Sequence, residues 1–329
     1  MKPFLKAYIL ELALVWSALG LYFIFPFGDF EYTPSSGMYF KESNAVKILF
    51  YLACSYTIIA VLVVFKKQKA NELTKAVFLL DSLSSRSYSL EVKHTFLFYL
   101  VKFFFIPLMV PATVYYFNRS LDIFLYSVIT DNTVIGYFNG FVFPLLVNVI
   151  ATIALAYYSF GYLVDSTKLK SKVKSVEPTM FGWIVVLICY APFFWLAIQV
   201  IPFHTKDIVF FVNQEVTFIV RIGLLFVMLF KVWSIASLGA KCSNLTNRGI
   251  VSKGPYKWIR HPHYLAKLIV WWVTFLPVLI HNYWAIGSMI FWTMIYVLRA
   301  LTEENHLQSD KDYVEYCSKV KWRFIPYVF

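Results

Sequence analysis

The hydrophobic positions of this chain fall into eight long apolar segments separated by short polar stretches. Most of these segments hold about 20 residues, the length that an α-helix needs to cross the hydrocarbon core of a bilayer. The pattern predicts an all-α, polytopic membrane protein with about eight spans. The predicted spans are residues 7–26, 46–65, 95–117, 133–160, 180–202, 215–238, 264–281 and 284–300.

The loops between these segments alternate in charge. Loops 66–94, 164–178 and 239–262 are rich in Lys and Arg, whereas loops 27–45 and 118–132 hold few cations beside several acids. Cationic loops gather on the cytoplasmic side of a membrane. The alternation predicts eight spans with both termini in the cytosol, in a plasma, inner or endoplasmic reticulum membrane.

The composition supports a membrane protein over a soluble one. Hydrophobic residues make up 60% of the chain and charged residues only 15%, against about 25% charged in soluble domains. The net charge of +12 is accounted for by cytosolic loops, so we expect no nucleic-acid partner. Four cysteines, Cys54, Cys189, Cys242 and Cys317, form no C-x-x-C pair and no Cys/His cluster. We expect reduced thiols and no structural metal.

The predicted spans suggest two regions. Residues 1–178 would form a four-span membrane region of unknown role, and residues 179–329 a core with four spans and a cytosolic C-terminal helix. Helical spacing of polar residues places that last helix at 301–320. Ionisable groups inside spans are functional candidates, or they pair between helices or reach towards helix ends. The main ones are Glu11, Lys102, Arg221 and Lys231.

Two regions combine charge and aromatic residues, and both are predicted to lie at the cytosolic interface. The first is NRGIVSKGPYKWIRHPHY, residues 247–264, and the second is RALTEENHLQSDKDYVEYCSKVKWRFIPY, residues 299–327. Between them lie two predicted helices joined by only residues 281–283. So short a connection predicts an antiparallel helical hairpin. Both charged regions would then emerge close together on one membrane face, as one site.

The order of these motifs resembles a known family. G-x-Y-x-x-x-R-H-P-x-Y, a helical hairpin, R-x-x-x-E-E-x-x-L and an aromatic tail ending in Pro are similar to isoprenylcysteine carboxyl methyltransferase and the related phospholipid methyltransferases. The resemblance covers residues 233–327. It implies an S-adenosylmethionine-dependent enzyme that methylates an O or N nucleophile of a lipophilic or lipid-modified substrate at the cytosolic face.

The resemblance also implies roles for particular residues. Arg299 and Glu303, four apart on one helix face, would be catalytic, with Arg299 facing a carboxylate or phosphate of the substrate. Glu303 and Glu304 could hold the cofactor's ammonium, and Arg260 or His261 its carboxylate. The implied cofactor contacts are Arg248, Gly249, Ile250, Val251, Tyr256, Arg260, His261, Pro262, His263, Tyr264, Glu303 and Glu304. The prenylcysteine enzymes have His where this chain has Arg248.

Two other functional hypotheses stay open at this point. Sterol reductases that use NADPH also have an Arg-His pair and a Tyr-rich tail, but their N-Y-x-G-D motif is here HYLAK, which lacks the acid. A non-catalytic scaffold or transporter component would retain the fold without the chemistry. The methyl acceptor, the choice between O- and N-methylation and the oligomeric state do not follow from the sequence.

Overall fold

A computed structural model describes residues 90–127, 131–206 and 208–328, with individual residues in 12–20 and 47–57. The first two predicted spans, 7–26 and 46–65, lie largely outside the described residues. Over the described ranges the chain is mostly helical, and its strands there are two residues long. The all-α class predicted from the hydrophobic pattern is confirmed for this part of the chain.

Eight α-helices and one short strand pair make up the described ranges. The helices are α1 (Leu90–Tyr126), α2 (Val134–Leu163), α3 (Met180–Leu187), α4 (Phe193–Val200), α5 (Gln214–Leu238), α6 (Pro262–His281), α7 (Ile286–Leu307) and α8 (Lys311–Lys319). Strands β1 (Ser175–Val176) and β2 (Thr246–Asn247) pair antiparallel, with Ser175 opposite Asn247. Short 3₁₀ turns cover Gly239–Lys241, Gly254–Lys257 and Tyr283–Ala285.

Five of these helices, α1, α2, α5, α6 and α7, are long and apolar enough to cross a membrane. Many of their large apolar side chains also point outwards. On α5, Ile219, Phe226 and Leu229 lie near one helix face and are 67%, 70% and 54% exposed. An apolar surface of this extent is costly in water and suits contact with lipid. Five of the eight predicted spans therefore have matching helices.

The predicted fifth span, 180–202, is not one continuous helix. It forms α3 and α4, each of eight residues, separated at residues 188–192. Pro192 explains the break, because proline has no N–H to donate and disfavours a helical residue before it. Eight helical residues rise only about 12 Å, so neither α3 nor α4 alone has the length of a span.

The predicted C-terminal helix over 301–320 is also divided. Residues up to Leu307 continue the spanning helix α7, and a separate helix begins at Lys311. Asp310 starts α8 as its N-cap, since its side chain accepts a hydrogen bond from Asp312 N. Helical spacing of polar residues continues through this turn, which is why the periodicity alone did not reveal it.

Arg221, one of the charges predicted inside a span, is buried at the contact between α2 and α5. A π-helical turn at Phe138–Val142 within α2 exposes the carbonyl of Asn139, which accepts from Arg221 Nη1 at 2.6 Å. Arg221 Nη2 donates to Val209 O at 3.0 Å, and the guanidinium lies over the Phe143 ring. Arg221 therefore joins helices, which is one of the three roles considered for such a charge.

Apolar packing places the strand pair beside the cytosolic ends predicted for the helices. Phe105 of α1 stacks on Tyr162 of α2 with centroids 4.8 Å apart, and Val176 of β1 is buried in the same cluster. Tyr162 accepts hydrogen bonds from the backbone N and the Nδ2 of Asn244. The segment that leads into β2 is thus anchored to the end of α2, next to the two charged regions.

Candidate functional site

The two charged regions meet, as the hairpin prediction requires. Helices α6 and α7 run antiparallel, with Tyr264 packed on Tyr296 and Trp272 Nε1 donating to Thr293 Oγ1 at 3.1 Å. At the charged end, His261 Nε2 lies 3.0 Å from an oxygen of Glu304. The expected convergence of residues 247–264 with residues 299–327 is therefore confirmed.

Glu304 is the centre of a buried ion cluster. Only 3% of the residue is exposed. Its Oε2 accepts from Arg260 Nη1 at 2.9 Å and Arg323 Nε at 3.0 Å, and its Oε1 from His261. Both carboxylate oxygens are thus occupied by side chains of the protein itself.

The same cluster holds the C-terminal tail. The backbone N–H groups of Arg260 and His261 donate to the carbonyls of Trp322 and Arg323, each at 2.9 Å. Arg260 Nη2 also donates to Lys321 O at 2.8 Å. Burial acts to lower the pKa of Arg260, but the attraction of Glu304, together with Cys317 and Tyr313, outweighs it and raises the pKa above its ordinary value. Arg260 stays charged and fastens the tail to the start of α6.

Next to this cluster lies a cleft with about 380 Å³ of empty space, part of it open to solvent. One face of α7 forms a wall, with residues at spacings of three and four that share a side of a helix. The segment that leads into β2, the start of α6, the loop after β1 and helix α3 form the others. The lining residues are Glu177, Val186, Ser243, Asn244, Leu245, Thr246, Tyr264, Arg299, Thr302, Glu303, His306 and Leu307.

Arg299 is 3% exposed and lies among aromatic rings. Its guanidinium carbon lies 4.8 Å from the ring centre of Tyr296, 5.3 Å from that of Tyr264 and 5.6 Å from that of Tyr190. Nη2 donates to Asn244 Oδ1 at 3.1 Å, while the buried Nε finds no hydrogen-bond partner in the described part of the chain. A buried, unpartnered donor of a cation in a cleft is suited to an anionic ligand.

Glu303, adjacent to Glu304 in sequence, faces the cleft and is exposed. Its Oε2 accepts a hydrogen bond from Tyr264 OH at 2.8 Å. Tyr264 also stacks on His261, with centroids 5.5 Å apart and nearly parallel rings. Of the predicted site residues, Tyr264, Arg299 and Glu303 are the three that line the cleft.

Arg248 and Gly249 lie at the end of β2. Arg248 is 4% exposed, and its Nη1 donates to Val164 O at 2.7 Å and Ser171 O at 2.8 Å. Gly249 has a φ of +85°, which glycine adopts without strain. In this structure, Arg248 connects the loop after α2 to the strand pair.

The remaining predicted residues surround these groups. Ile250 and Tyr256 pack against the apolar cluster of α8, where Tyr316 OH donates to Tyr256 O. Val251 is half-buried, and Pro262 is the buried first residue of α6, a position that proline favours. His263 Nε2 lies 3.3 Å from Tyr158 OH of α2. Whether any of these residues contacts a cofactor stays a prediction.

Two ionisable residues of the cleft had not been singled out from the sequence. Glu177 comes from the loop after β1, and His306 lies about one turn beyond Glu303 on α7. Helical spacing was a signal for His306, because it is seven residues after Arg299 and shares its face. Glu177 had no signal in the sequence, since only the pairing of β1 with β2 brings it here.

Comparison with known families agrees with this site. Residues 218–309 match the family model described as isoprenylcysteine carboxyl methyltransferase (ICMT) family. The resemblance seen in the motifs is therefore confirmed for the C-terminal region, and the match contains every predicted site residue from Arg248 to Glu304. A comparison with curated proteins gives no match. The ICMT match and the five apolar helices together support a membrane methyltransferase.

Proposed function

We propose that this chain is an integral membrane enzyme that moves a methyl group from S-adenosylmethionine to an O or N nucleophile of a lipophilic substrate at the cytosolic membrane face. One observation carries the proposal. The helical hairpin within the ICMT match brings Arg299, Glu303 and Tyr264 into a single cleft. These side chains supply a buried cation, a carboxylate and an aromatic face within one small volume.

The residues present fit the chemical groups of this cofactor. Glu303, with Tyr264 OH on its carboxylate, would hold an ammonium by a charge-assisted hydrogen bond. The ring faces of Tyr264 and Tyr296 attract cations, and a sulfonium is a cation. When bound, the cofactor supplies a methyl group that already carries its leaving group.

Arg299 is assigned to the substrate. Its unpartnered Nε donor would hold an anionic group of the acceptor molecule, and the rings around it exclude water. Fixing the nucleophile in line with the methyl group contributes most of the rate in a reaction of this kind. Glu304, Arg260 and His261 would act indirectly, by holding the tail and the start of α6 in place.

Ligand binding tests the function without knowledge of the acceptor. The full-length protein in detergent is heated with S-adenosylhomocysteine, with NADPH or with neither, and its melting temperature is measured. We expect stabilisation by S-adenosylhomocysteine alone, because a ligand that binds the folded state raises its stability. Stabilisation by NADPH would support a reductase, and stabilisation by neither would contradict an S-adenosylmethionine enzyme.

The variants Arg299→Ala and Glu303→Ala then separate the assigned roles. We expect Glu303→Ala to lose the stabilisation by S-adenosylhomocysteine. Arg299→Ala is expected to keep it but to abolish methylation of added membrane lipids by methyl-labelled S-adenosylmethionine. Wild-type turnover in either variant would refute the role assigned to that residue.

A further inference from the structure

Glu177 and His306 form a buried acid–histidine pair inside the cleft. Glu177 is 4% exposed, and its Oε2 lies 3.8 Å from His306 Nδ1. On the other side of the imidazole, Nε2 lies 2.9 Å from Ser175 Oγ. The ring is thus held at one nitrogen by a hydroxyl and faces a carboxylate at the other.

The local fold fixes both partners of the imidazole. Ser175 and Glu177 lie two residues apart in extended chain, so their side chains share one side, while Val176 points to the apolar core. Glu177 N donates to Leu245 O at 2.8 Å, which continues the pairing of β1 with β2. Gly182 leaves room for the carboxylate, since a Cβ there would lie 2.6 Å from Glu177 Cδ.

The contacts of Glu177 leave the imidazole as its ionic partner. Its other oxygen, Oε1, accepts from Thr179 N and Oγ1. Among the residues that the structure describes, no Lys or Arg forms an ion pair with it, and His306 is the side chain beside it that can take up a positive charge. A carboxylate at this distance favours a positive charge on its neighbour, so Glu177 is placed to stabilise the imidazolium that His306 becomes once it has accepted a proton.

We infer that His306, positioned by Glu177 and Ser175, is the general base that takes the proton of the methyl acceptor. The inference rests on the proposed function and narrows it to acceptors that carry a proton at neutral pH, an amine or a hydroxyl. We assign Nε2–H as the donor to Ser175 Oγ, 2.9 Å away, which leaves the Nδ1 lone pair as the basic site. Arg299 and Glu303 lie on the same face of α7, so the base stands beside the groups assigned to substrate and cofactor.

The step balances as a single transfer. A lone pair on the acceptor N or O forms a bond to the methyl carbon, and the pair of the broken carbon–sulfur bond goes to sulfur, which becomes a neutral thioether. The acceptor proton goes to His306 Nδ1, and Glu177 compensates the new positive charge. Water then takes the proton from the imidazolium, which restores the base.

The ordinary pKa values of acceptors explain the restriction. A carboxylic acid, with a pKa of about 4, is ionised at neutral pH and needs no base. An alkyl ammonium, with a pKa of about 10, must lose a proton before its nitrogen can attack. A general base placed within reach typically contributes about 10²- to 10⁴-fold. The pair is therefore useful to amine or hydroxyl acceptors and redundant for carboxylates.

Three single-acceptor vesicles test this inference. The full-length protein and methyl-labelled S-adenosylmethionine are mixed with phosphatidylcholine vesicles doped with phosphatidylethanolamine, phosphatidylglycerol or N-glutaryl phosphatidylethanolamine. These lipids offer an amine, a hydroxyl or a carboxylate, and each carries a phosphate for Arg299. We expect label in the amine or the hydroxyl lipid, and little in the carboxylate lipid. Preferred labelling of the carboxylate lipid overturns the inference, and so does labelling of neither the amine nor the hydroxyl lipid. The change in melting temperature with S-adenosylhomocysteine is measured on the same sample. If that change is present, only the inference about the base fails; if it is absent, the proposed function fails as well.

The variants His306→Gln and Glu177→Gln test the pair, with His281→Gln and Glu315→Gln on exposed positions as matched controls. We expect His306→Gln to lower turnover at least about 100-fold, to keep the S-adenosylhomocysteine shift, and to lose the acidic limb of the rate–pH profile. The other titratable groups that act on His306 in the described residues are Glu303 on α7 and His94 on α1, and both stay in place. An unchanged rate and profile would show that His306 is structural.

Histidine-selective NMR of the protein without cofactor gives a readout apart from activity. One imidazole resonance is expected to vanish in His306→Gln, and the midpoint of its titration is expected to move in Glu177→Gln but not in Glu315→Gln. An unmoved midpoint would mean that Glu177 and His306 are not coupled, and the inference would fail.

Discussion

Two adjacent carboxylates on α7 occupy opposite environments. Glu304 is buried and bonded to Arg260, His261 and Arg323, whereas Glu303 is exposed in the cleft with Tyr264 on its carboxylate. Consecutive residues on a helix point about 100° apart, so one acid faces the tail and its neighbour faces the ligand space. The two side chains are chemically identical, and only the directions in which they point separate their roles.

This contrast predicts different defects for matched substitutions. Glu304→Gln leaves the positive charges of Arg260 and Arg323 without their buried counter-charge, so we expect a loss of about 3–5 kcal/mol in unfolding free energy. Glu303→Gln is expected to keep the melting temperature and to weaken S-adenosylhomocysteine binding at least tenfold, about the worth of one charge-assisted hydrogen bond. Thermal melts and calorimetric titration measure both. A stable Glu304→Gln protein with weakened binding would instead place Glu304 on the cofactor.

At the scale of elements, the short helix α8 is fastened to the strand pair by Asp310. Its Oδ2 accepts from Lys174 Nζ at 2.8 Å and from Asn247 Nδ2 at 2.9 Å. Burial acts to raise the pKa of Asp310, but these hydrogen bonds outweigh it and lower the pKa. The hydrogen bond to Asp310 also raises the pKa of Lys174. The contact therefore joins three separate elements through one carboxylate.

The signs of these shifts give a pH window for the attachment of α8. A carboxyl with a lowered pKa stabilises the folded state above the ordinary value of about 4, and this is lost as the pH falls through the lowered value. The raised pKa of Lys174 keeps the pair charged until the pH exceeds about 10.4. We expect protection of the α8 amides from hydrogen exchange, corrected for intrinsic rates, to be constant near neutral pH and to fall below about pH 4.

Two substitutions divide the roles of Asp310. Asp310→Asn retains a good N-cap but removes the charge. We expect it to lower the unfolding free energy by under about 1 kcal/mol, because Lys174 is half exposed. We also expect it to abolish the acid dependence of α8 protection. Asp310→Ala also removes the cap, at about 1 kcal/mol more. Glu315→Gln, at an exposed side chain of α8, is the control. Unchanged acid sensitivity in Asp310→Asn would assign the effect to another group.

At the scale of the whole molecule, the cleft takes residues from both predicted regions. Glu177 precedes the predicted boundary at 178/179, yet it lines the same space as Arg299 and Glu303. Pairing of β1 with β2 and the contact of Tyr158 with His263 also cross that boundary. The division into two regions stays a prediction, but the site depends on residues from both sides.

Arg248 offers a test of this dependence. Its guanidinium joins the carbonyls of Val164 and Ser171 to the end of β2, so Arg248→Ala leaves one part-buried and one buried acceptor without their donor. We expect a loss of about 1–3 kcal/mol in stability, seen as a lower melting temperature without any ligand. Lys253→Ala, on an exposed residue of the same loop, is the control. An unchanged melting temperature with a lost S-adenosylhomocysteine shift would instead make Arg248 a cofactor contact.

Much of the architecture followed from the sequence, because it depends on local chemistry. Apolar stretches of spanning length predict helices that form in lipid whatever their neighbours are. The three-residue link at 281–283 is so short that the two long helices it joins must run antiparallel. Those two facts predicted the convergence of residues 247–264 with residues 299–327, where His261 meets Glu304 and Tyr264 meets Glu303. The complete break before Pro192 and the new helix start at Asp310 were missed, because the pattern of apolar and polar residues runs through both.

What only the tertiary structure decided is which of the polar groups face the cleft. Glu303 and Glu304 look alike in sequence, and Arg248, Arg260 and Arg299 are all cations near aromatics, yet their partners come from elements far apart in the chain. Glu177 reaches His306 across 129 positions, from 177 to 306, because β1 pairs with β2. The direction of a side chain and the identity of its distant partner depend on packing between elements, and no local pattern of residues encodes them.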